Sequence, residues 1–172
     1  MGMDVNGKNP DSAKGKYFGR NISGWPPLWD YCRSVATVAH TVIYGYSNDG
    51  DGLDENDALV LASILRSELE SGRTAAAVKE QEAAYSAMPD ENCWCCNGTG
   101  RVQETTPARD DSIQADDNPF GAEPNYTGIE IPCHQCKGTG KVRPQETQYQ
   151  LRVQDMREFC EFLEHCGGFA IW

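Results

Sequence analysis

The feature that most constrains this chain is an eight-residue pattern, C-x-x-C-x-G-x-G, which occurs twice. The first copy is "CWCCNGTG", beginning at Cys93, and the second is "CHQCKGTG", beginning at Cys133. Two cysteines separated by two residues can turn both sulfurs toward one ion. The glycines that follow suit a tight reversal, because glycine adopts positive φ without steric cost. Each copy therefore predicts half of a tetrahedral metal site.

We predict a zinc site in which the two copies share one ion. The expectation is one Zn²⁺ per chain, bound by Cys93, Cys96, Cys133 and Cys136. Zn²⁺ favours four tetrahedral ligands, and four thiolates leave no position for a reactive water, so the zinc is expected to be structural. The neighbouring Cys95 and His134 remain alternative ligands. The basic residues near the motifs, which could offset the thiolate charge, are Arg101, Lys137 and Lys141.

These two motifs resemble the repeated motif of the DnaJ-type cysteine-rich domain. That family uses four such motifs to bind two zinc ions in an extended β-hairpin region that helps to hold non-native proteins, so the two motifs here imply one ion. The His-Pro-Asp signature of the J domain is absent, and the resemblance implies no stimulation of a chaperone ATPase. The stretches "GWPPLWDYC", "SNDGDGL" and "GGFAIW" resemble uncharacterised small proteins of bacteria and their phages, which implies no activity.

Charge and hydropathy narrow the classes of partner. The net charge is −11, and an acidic surface repels phosphate backbones, so direct nucleic-acid binding is disfavoured. A protein partner, including one with a basic surface, is expected instead.

No apolar run approaches the roughly 18 residues of a membrane span, and the N-terminal residues lack the apolar core of a secretory signal. We therefore expect a cytoplasmic protein without membrane contact. In that compartment its eight cysteines favour metal binding and reduced thiols over disulfides.

Hydrophobic periodicity and turn residues predict an α+β fold with four segments. The expected segments are an extended or mobile stretch over 1–24, a helical region over 25–92, metal-binding hairpins with an irregular acidic loop over 93–142, and a strand-helix-strand over 143–172 that completes the core. The strand at its start is predicted from the alternation of Tyr149, Leu151 and Val153. The final helix presents Met156, Phe159, Cys160, Leu163 and Cys166 on one face, and "FAIW" is a short last strand.

Three helices are predicted in the helical region. They run from Pro27 to Ile43, from near Asp54 to Gly72, and from Thr74 to Met88. Asp54 and Thr74 are the expected N-caps, because their short side chains can accept hydrogen bonds from the first turn. Trp25, Trp29, Tyr31 and Trp172 are expected to form an aromatic cluster, and Cys32, Cys160 and Cys166 to be buried as small apolar residues.

The stretch "SNDGDGLDENDA" resembles an EF-hand loop but departs from it at three positions. Ser47 stands at the first ligand position, Asp54 at the eighth in place of an apolar residue, and Ala58 at the twelfth, where calcium loops carry a bidentate glutamate. An acidic turn between two capped helices is the preferred interpretation.

These observations favour a non-catalytic protein-interaction module, for which no catalytic residue is assigned. The first alternative is a phage-type inhibitor that presents an acidic, nucleic-acid-mimicking surface to a nucleic-acid-handling enzyme. The second is a thiol-based enzyme. No oligomeric state is predicted.

Overall fold

The computed structural model describes residues 2–107 and 126–172. The chain divides into two compact units, which are unit 1, Met1–Met88 with Gln145–Trp172, and unit 2, Pro89–Pro144. The described residues form α-helices and short antiparallel strands, which confirms the predicted α+β class.

Four α-helices and seven strands are found in the described residues. The helices are α1 (Trp25–Val35), α2 (Glu55–Glu70), α3 (Arg73–Ala87) and α4 (Val153–His165). The strands are β1 (Gly2–Gly7), β2 (Tyr17–Asn21), β3 (Glu91–Asn92), β4 (Arg101–Pro107), β5 (Tyr126–Pro132), β6 (Lys141–Val142) and β7 (Phe169–Ile171). None of these helices combines the length and apolar character needed to cross a membrane.

Unit 1 contains an antiparallel sheet with the strand order β2-β1-β7. Val5 in the central strand pairs with Phe18 on one side and Ile171 on the other, and its side chain is fully buried. Residues 1–24, expected to be extended or mobile, thus contain two of the three strands. Strand β7, the second partner of β1, confirms the prediction of a short last strand.

Helix α1 ends earlier than the sequence predicts. The expected helix continued to Ile43, whereas α1 ends at Val35 and Ala36 adopts an extended conformation. A short 3-10 helix, Thr37–Thr41, follows. Because a 3-10 helix also places residues three apart on one side, the apolar stripe continues through the break, and Ala39 is still buried.

The start of α2 is confirmed and that of α3 is corrected. The Asp54 carboxylate accepts a hydrogen bond from the Asp57 N–H at 2.9 Å, as an N-cap does. Thr74, predicted as the next N-cap, lies inside α3, which begins at Arg73. Its buried hydroxyl lies within hydrogen-bonding distance, 3.2 Å, of the Tyr31 hydroxyl. Thr74 therefore connects α3 to α1.

Aromatic rings fill the core of unit 1. Trp25 and Trp29 stack with ring centroids 5.4 Å apart, and Phe159 packs edge-on against both. Trp172, which the sequence assigned to the same cluster, is 57% exposed. The hydroxyl of Tyr31 bonds to polar groups of α2 and α3 instead. The cluster was thus predicted correctly only for the first two tryptophans.

The strand predicted over 149–153 is wrong. Residues 149–152 adopt no regular structure, and Val153 already begins α4. Side chains of α3 bind this backbone where a neighbouring strand would: the Gln81 side-chain carbonyl accepts from the Leu151 N–H at 2.7 Å, and the Tyr85 hydroxyl donates to the Tyr149 carbonyl at 2.9 Å. The predicted apolar face of α4 is confirmed, since all five of its residues are buried.

Unit 2 contains two pairs of antiparallel strands, β3 with β6 and β4 with β5. The connection between the motifs was expected to be an irregular loop, yet Arg101–Pro107 and Tyr126–Pro132 form a ladder. The acidic stretch within it, with Asp110, Asp111, Asp116 and Asp117, lies outside the described residues.

Candidate metal centre

Four cysteines of unit 2 bring their sulfurs together. The Sγ atoms of Cys93, Cys96, Cys133 and Cys136 all lie within 4.8 Å of one another, and all four residues are buried. The separation is 3.8 Å between Cys93 and Cys133 and 3.7 Å between Cys96 and Cys136. A tetrahedron with metal–sulfur bonds of about 2.3 Å has edges of about 3.8 Å, whereas a disulfide measures about 2.05 Å. The sulfurs are therefore spaced to share one metal ion.

The first motif folds into a tight turn, residues 93–100, which we call the first knuckle. The Cys93 carbonyl accepts from the Gly98 N–H at 3.1 Å, and the Cys96 carbonyl accepts from the Thr99 N–H at 3.0 Å. The Gly100 N–H then donates to the Cys96 sulfur at 3.2 Å. The turn thus directs both sulfurs inward and gives one of them an N–H donor.

The second motif, residues 133–140, repeats this turn as the second knuckle. Gly138 donates to the Cys133 carbonyl at 3.2 Å, and Thr139 donates to the Cys136 carbonyl at 3.1 Å. The Gly140 N–H donates to the Cys136 sulfur at 3.2 Å. The shared C-x-x-C-x-G-x-G pattern therefore encodes one hydrogen-bonding pattern twice.

Backbone hydrogen bonds connect the knuckles reciprocally. The Cys93 N–H donates to the Gly140 carbonyl, and the Cys133 N–H donates to the Gly100 carbonyl, both at 2.8 Å. The strand pairs show the same reciprocity. Strand β3, which precedes the first knuckle, pairs with β6, which follows the second. Strand β4, which follows the first knuckle, pairs with β5, which precedes the second. Each knuckle is thus built partly on the other.

Glycine is required where the knuckles meet. Gly100 and Gly140 have φ of +76° and +74°. A Cβ on Gly100 would lie 2.3 Å from the Gly138 carbonyl oxygen, and one on Gly140 would lie 2.3 Å from the Gly98 carbonyl oxygen. Any side chain would therefore combine backbone strain with a collision against the opposite knuckle.

Burial raises the pKa of the Cys93 thiol, whereas a backbone donor favours the thiolate form at Cys133. A hydrogen bond from the backbone N–H of Cys136 lowers the pKa of the Cys133 thiol. Two of the basic residues expected to offset the charge have other partners. Arg101 lies 3.7 Å from the Glu130 carboxylate, and Lys141 donates to the Asn92 side-chain oxygen at 2.8 Å.

Three of the four residues between the paired cysteines are exposed. Trp94, expected to pack locally, is 73% exposed. Cys95 is partly exposed and His134 is exposed. Neither belongs to the group of ligand atoms within 4.8 Å, which is the one such group found among the described residues.

The other predicted buried thiols lie in the core of unit 1. Cys32, Cys160 and Cys166 are buried, as expected. Burial raises the pKa of Cys32, and it raises the pKa of Cys160 and of Cys166 to about 11. These three thiols are therefore protonated near neutral pH, which disfavours them as nucleophiles.

In the EF-hand-like stretch, two aspartate carboxylates accept hydrogen bonds from backbone N–H groups. Asp51 accepts from the Tyr44 N–H at 2.9 Å and from the Gly52 N–H at 2.8 Å. The Tyr44 N–H is the main reason that the pKa of Asp51 is lowered. With Asp54 capping α2, this segment forms an acidic turn before a capped helix, although the element that precedes it is the 3-10 helix Thr37–Thr41 and not an α-helix.

Comparison with known proteins adds no assignment: no family model matches the sequence, and no curated protein or solved structure matches it significantly. The DnaJ-type resemblance therefore stays restricted to the two motifs. The reciprocal bonds between the knuckles were not predicted from the sequence. Their signal was present in the repeat itself, because two identical turns that share one ion favour a symmetric arrangement.

Proposed function

We propose that unit 2 binds one Zn²⁺ through Cys93, Cys96, Cys133 and Cys136 and that this zinc has a structural role. The observation that carries the proposal is the grouping of four buried sulfurs within 4.8 Å of one another, with two separations of 3.8 Å and 3.7 Å. A set of four thiolates in this geometry is typical of zinc or iron. Four sulfurs fill the coordination sphere of zinc, so no water would be activated there.

The small core of unit 2 supports a structural role. In the described part of unit 2, the cluster of buried apolar residues consists of the same four cysteines, with Cys95, Val102 and Val142 packed against them. So few apolar side chains bury little surface, and a metal would supply the missing stability. Without the metal, cysteine side chains would occupy the position of a hydrophobic core and would not stabilise the fold of unit 2.

Cobalt substitution tests the metal site. The metal-free protein, prepared under reducing conditions, should bind one Co²⁺ per chain and show the visible absorption of tetrahedral thiolate coordination, and Zn²⁺ should displace the cobalt. Cys96→Ser should weaken Zn²⁺ binding by at least about tenfold, because a neutral hydroxyl replaces one of four thiolate ligands.

Cys95→Ser is the matched control, since it changes the adjacent thiol and should leave the spectrum and the affinity unchanged. A loss with Cys95→Ser, or a spectrum of octahedral cobalt, would contradict the proposed ligand set. Iron as the metal recovered from the native protein would refute zinc but not the ligands.

We further propose that the protein is a non-catalytic interaction module whose partner has a basic surface. The net charge of −11 supports this partner class, because acidic surfaces attract basic ones and accelerate their association. The same charge supports the alternative of an inhibitor that imitates nucleic acid, and that inhibitor would occupy a basic groove of a nucleic-acid-handling enzyme.

Affinity capture from the native host tests this proposal. The charge-reversed variant changes Asp110, Asp111, Asp116 and Asp117 to Lys. We expect this variant to lose its partner at low salt, because attraction becomes repulsion. The matched control reverses four other carboxylates, Asp49, Glu55, Glu70 and Glu91, and should retain more of the partner. Unchanged capture at several salt concentrations would dismiss the acidic loop as the binding surface.

A further inference from the structure

A surface groove of about 480 Å³ lies in unit 1. Residues of α1, α3 and the segment before α4 line it. Three of them are aromatic, Tyr31, Tyr85 and Tyr149, and two are acidic, Asp30 and Glu146. The groove therefore combines tyrosine rings with negative charge.

Internal hydrogen bonds occupy the hydroxyls of two of these tyrosines. The Tyr31 hydroxyl lies 3.0 Å from the Glu68 carboxylate and 3.2 Å from the Thr74 hydroxyl. The Tyr85 hydroxyl donates to the Tyr149 carbonyl at 2.9 Å. Because these bonds fix the side chains, the rings contribute preordered aromatic surface to the groove.

The charged residues that line the groove are all acidic. None of its lining residues is Lys, Arg or His. Asp30 and Glu146 are exposed, and neither takes part in an ion pair within the part of the chain that the structure describes. The neutral Tyr46 hydroxyl donates to Asp30. No positive charge of the groove itself offsets these carboxylates.

We propose that this groove binds an arginine side chain of a basic protein partner. The inference deepens the proposed interaction function and depends on its partner class. A cation is attracted to the faces of aromatic rings, and carboxylates strengthen that attraction. Arginine fits better than lysine, because its flat guanidinium stacks on rings and donates in parallel to a carboxylate. An apolar peptide would leave the negative charge of Asp30 and Glu146 without a partner.

Peptide titration of the zinc-loaded protein tests the groove. The probe is the capped hexapeptide Gly-Ser-Arg-Arg-Ser-Gly, observed through the amide shifts of the ¹⁵N-labelled protein. The citrulline counterpart has nearly the same shape without charge. We expect the arginine peptide to shift amides of the groove residues and the citrulline peptide to leave them unchanged. Equal binding of both peptides, or of neither, would overturn the proposal, and equal binding of a lysine peptide would overturn the choice of arginine.

Variants separate the two sources of attraction. Asp30→Asn with Glu146→Gln should weaken binding on the order of tenfold, because each of the two exposed charges contributes a factor of roughly three. Tyr149→Leu should weaken it about two- to fivefold, as expected for the loss of one cation–π contact. Glu55→Gln with Glu70→Gln removes the same charge from α2, which does not line the groove, and should have a smaller effect than the groove pair.

The titration distinguishes the groove from the proposed function. Zinc stoichiometry and partner capture test the module, whereas the peptide shifts test unit 1 alone. A flat titration with full zinc occupancy and normal partner capture would refute the groove and leave the module standing. Amide spectra of the variants that keep the dispersion of the unchanged protein show that a lost shift reflects binding and not unfolding.

Discussion

At the scale of single residues, the metal centre depends on positions that lack a side chain. Gly100 and Gly140 each accept a bond from a cysteine N–H of the opposite knuckle. The same two glycines allow the opposite backbone to approach, since a Cβ on either would lie 2.3 Å from a carbonyl oxygen. The sulfurs bind the ion, and these glycines allow the two pairs of sulfurs to face each other.

Substitutions at Gly138 and Gly140 distinguish the effect of this close contact from the effect of backbone strain. Gly138 and Gly140 both have positive φ, +87° and +74°. A Cβ on Gly138 meets nothing nearer than 3.6 Å, whereas one on Gly140 meets the Gly98 carbonyl oxygen at 2.3 Å. Gly138→Ala should cost about 1–2 kcal/mol for the left-handed backbone alone. Gly140→Ala should weaken zinc binding at least about tenfold more, measured by competition with a chelator of known affinity. Equal losses would show that the close approach is unimportant.

At the scale of elements, local signals predicted helices well where the cap and the apolar stripe agreed. Asp54 and the stripe of α2 gave the correct start, because the cap is made within one turn. The apolar stripe after Pro27 predicted a helix longer than α1, since residues three apart lie on one side of both α- and 3-10 helices. Thr74 has the right chemistry for a cap but is buried against Tyr31, a contact that local sequence does not reveal.

Strands were predicted poorly because their partners are remote. The alternation around Leu151 is typical of a strand, but Gln81 binds its backbone instead. Conversely, the sequence of β1 contains two glycines and an asparagine, which is typical of a loop. It is nevertheless a strand, because Val5 pairs with Phe18 on one side and with Ile171 on the other. The four cysteines were grouped correctly because coordination chemistry restricts their spacing more tightly than propensity restricts strands.

The cap of α2 offers a direct test at this scale. Asp54→Ala should lower the free energy of unfolding by about 1 kcal/mol, because the Asp57 N–H loses its acceptor. Urea denaturation followed by far-UV circular dichroism measures the change. Asn56→Ala in the first turn of the same helix is the control and should change stability less. A neutral result for Asp54→Ala would mean that water replaces the carboxylate at no cost.

At the scale of the whole molecule, secondary structure is divided unequally between the units. Among the residues that the structure describes, the four α-helices all belong to unit 1, whereas unit 2 contains strands, the two knuckles and the four cysteines. The aromatic core of unit 1 involves no residue of the metal site. The two units should therefore differ in their response to metal removal.

Chelation should unfold unit 2 selectively. Removing zinc should expose the Cys93 and Cys133 amides, which bond across the knuckles, to hydrogen exchange, while α2 amides stay protected. The far-UV signal of the helices should persist, because the aromatic core of unit 1 does not depend on the ion. Restoring Zn²⁺ should restore amide protection. A parallel loss of helical signal would show that the ion stabilises the entire chain.

The division of unit 1 into two chain segments has a consequence for biosynthesis. Strand β1 leaves the ribosome early, but one of its edges must wait for β7, which is translated after the whole of unit 2. The nascent chain can therefore complete its metal-binding unit while the sheet of unit 1 still has an open edge. During that interval the exposed backbone of β1 is available to other strands and favours aggregation, until pairing with β7 closes that edge.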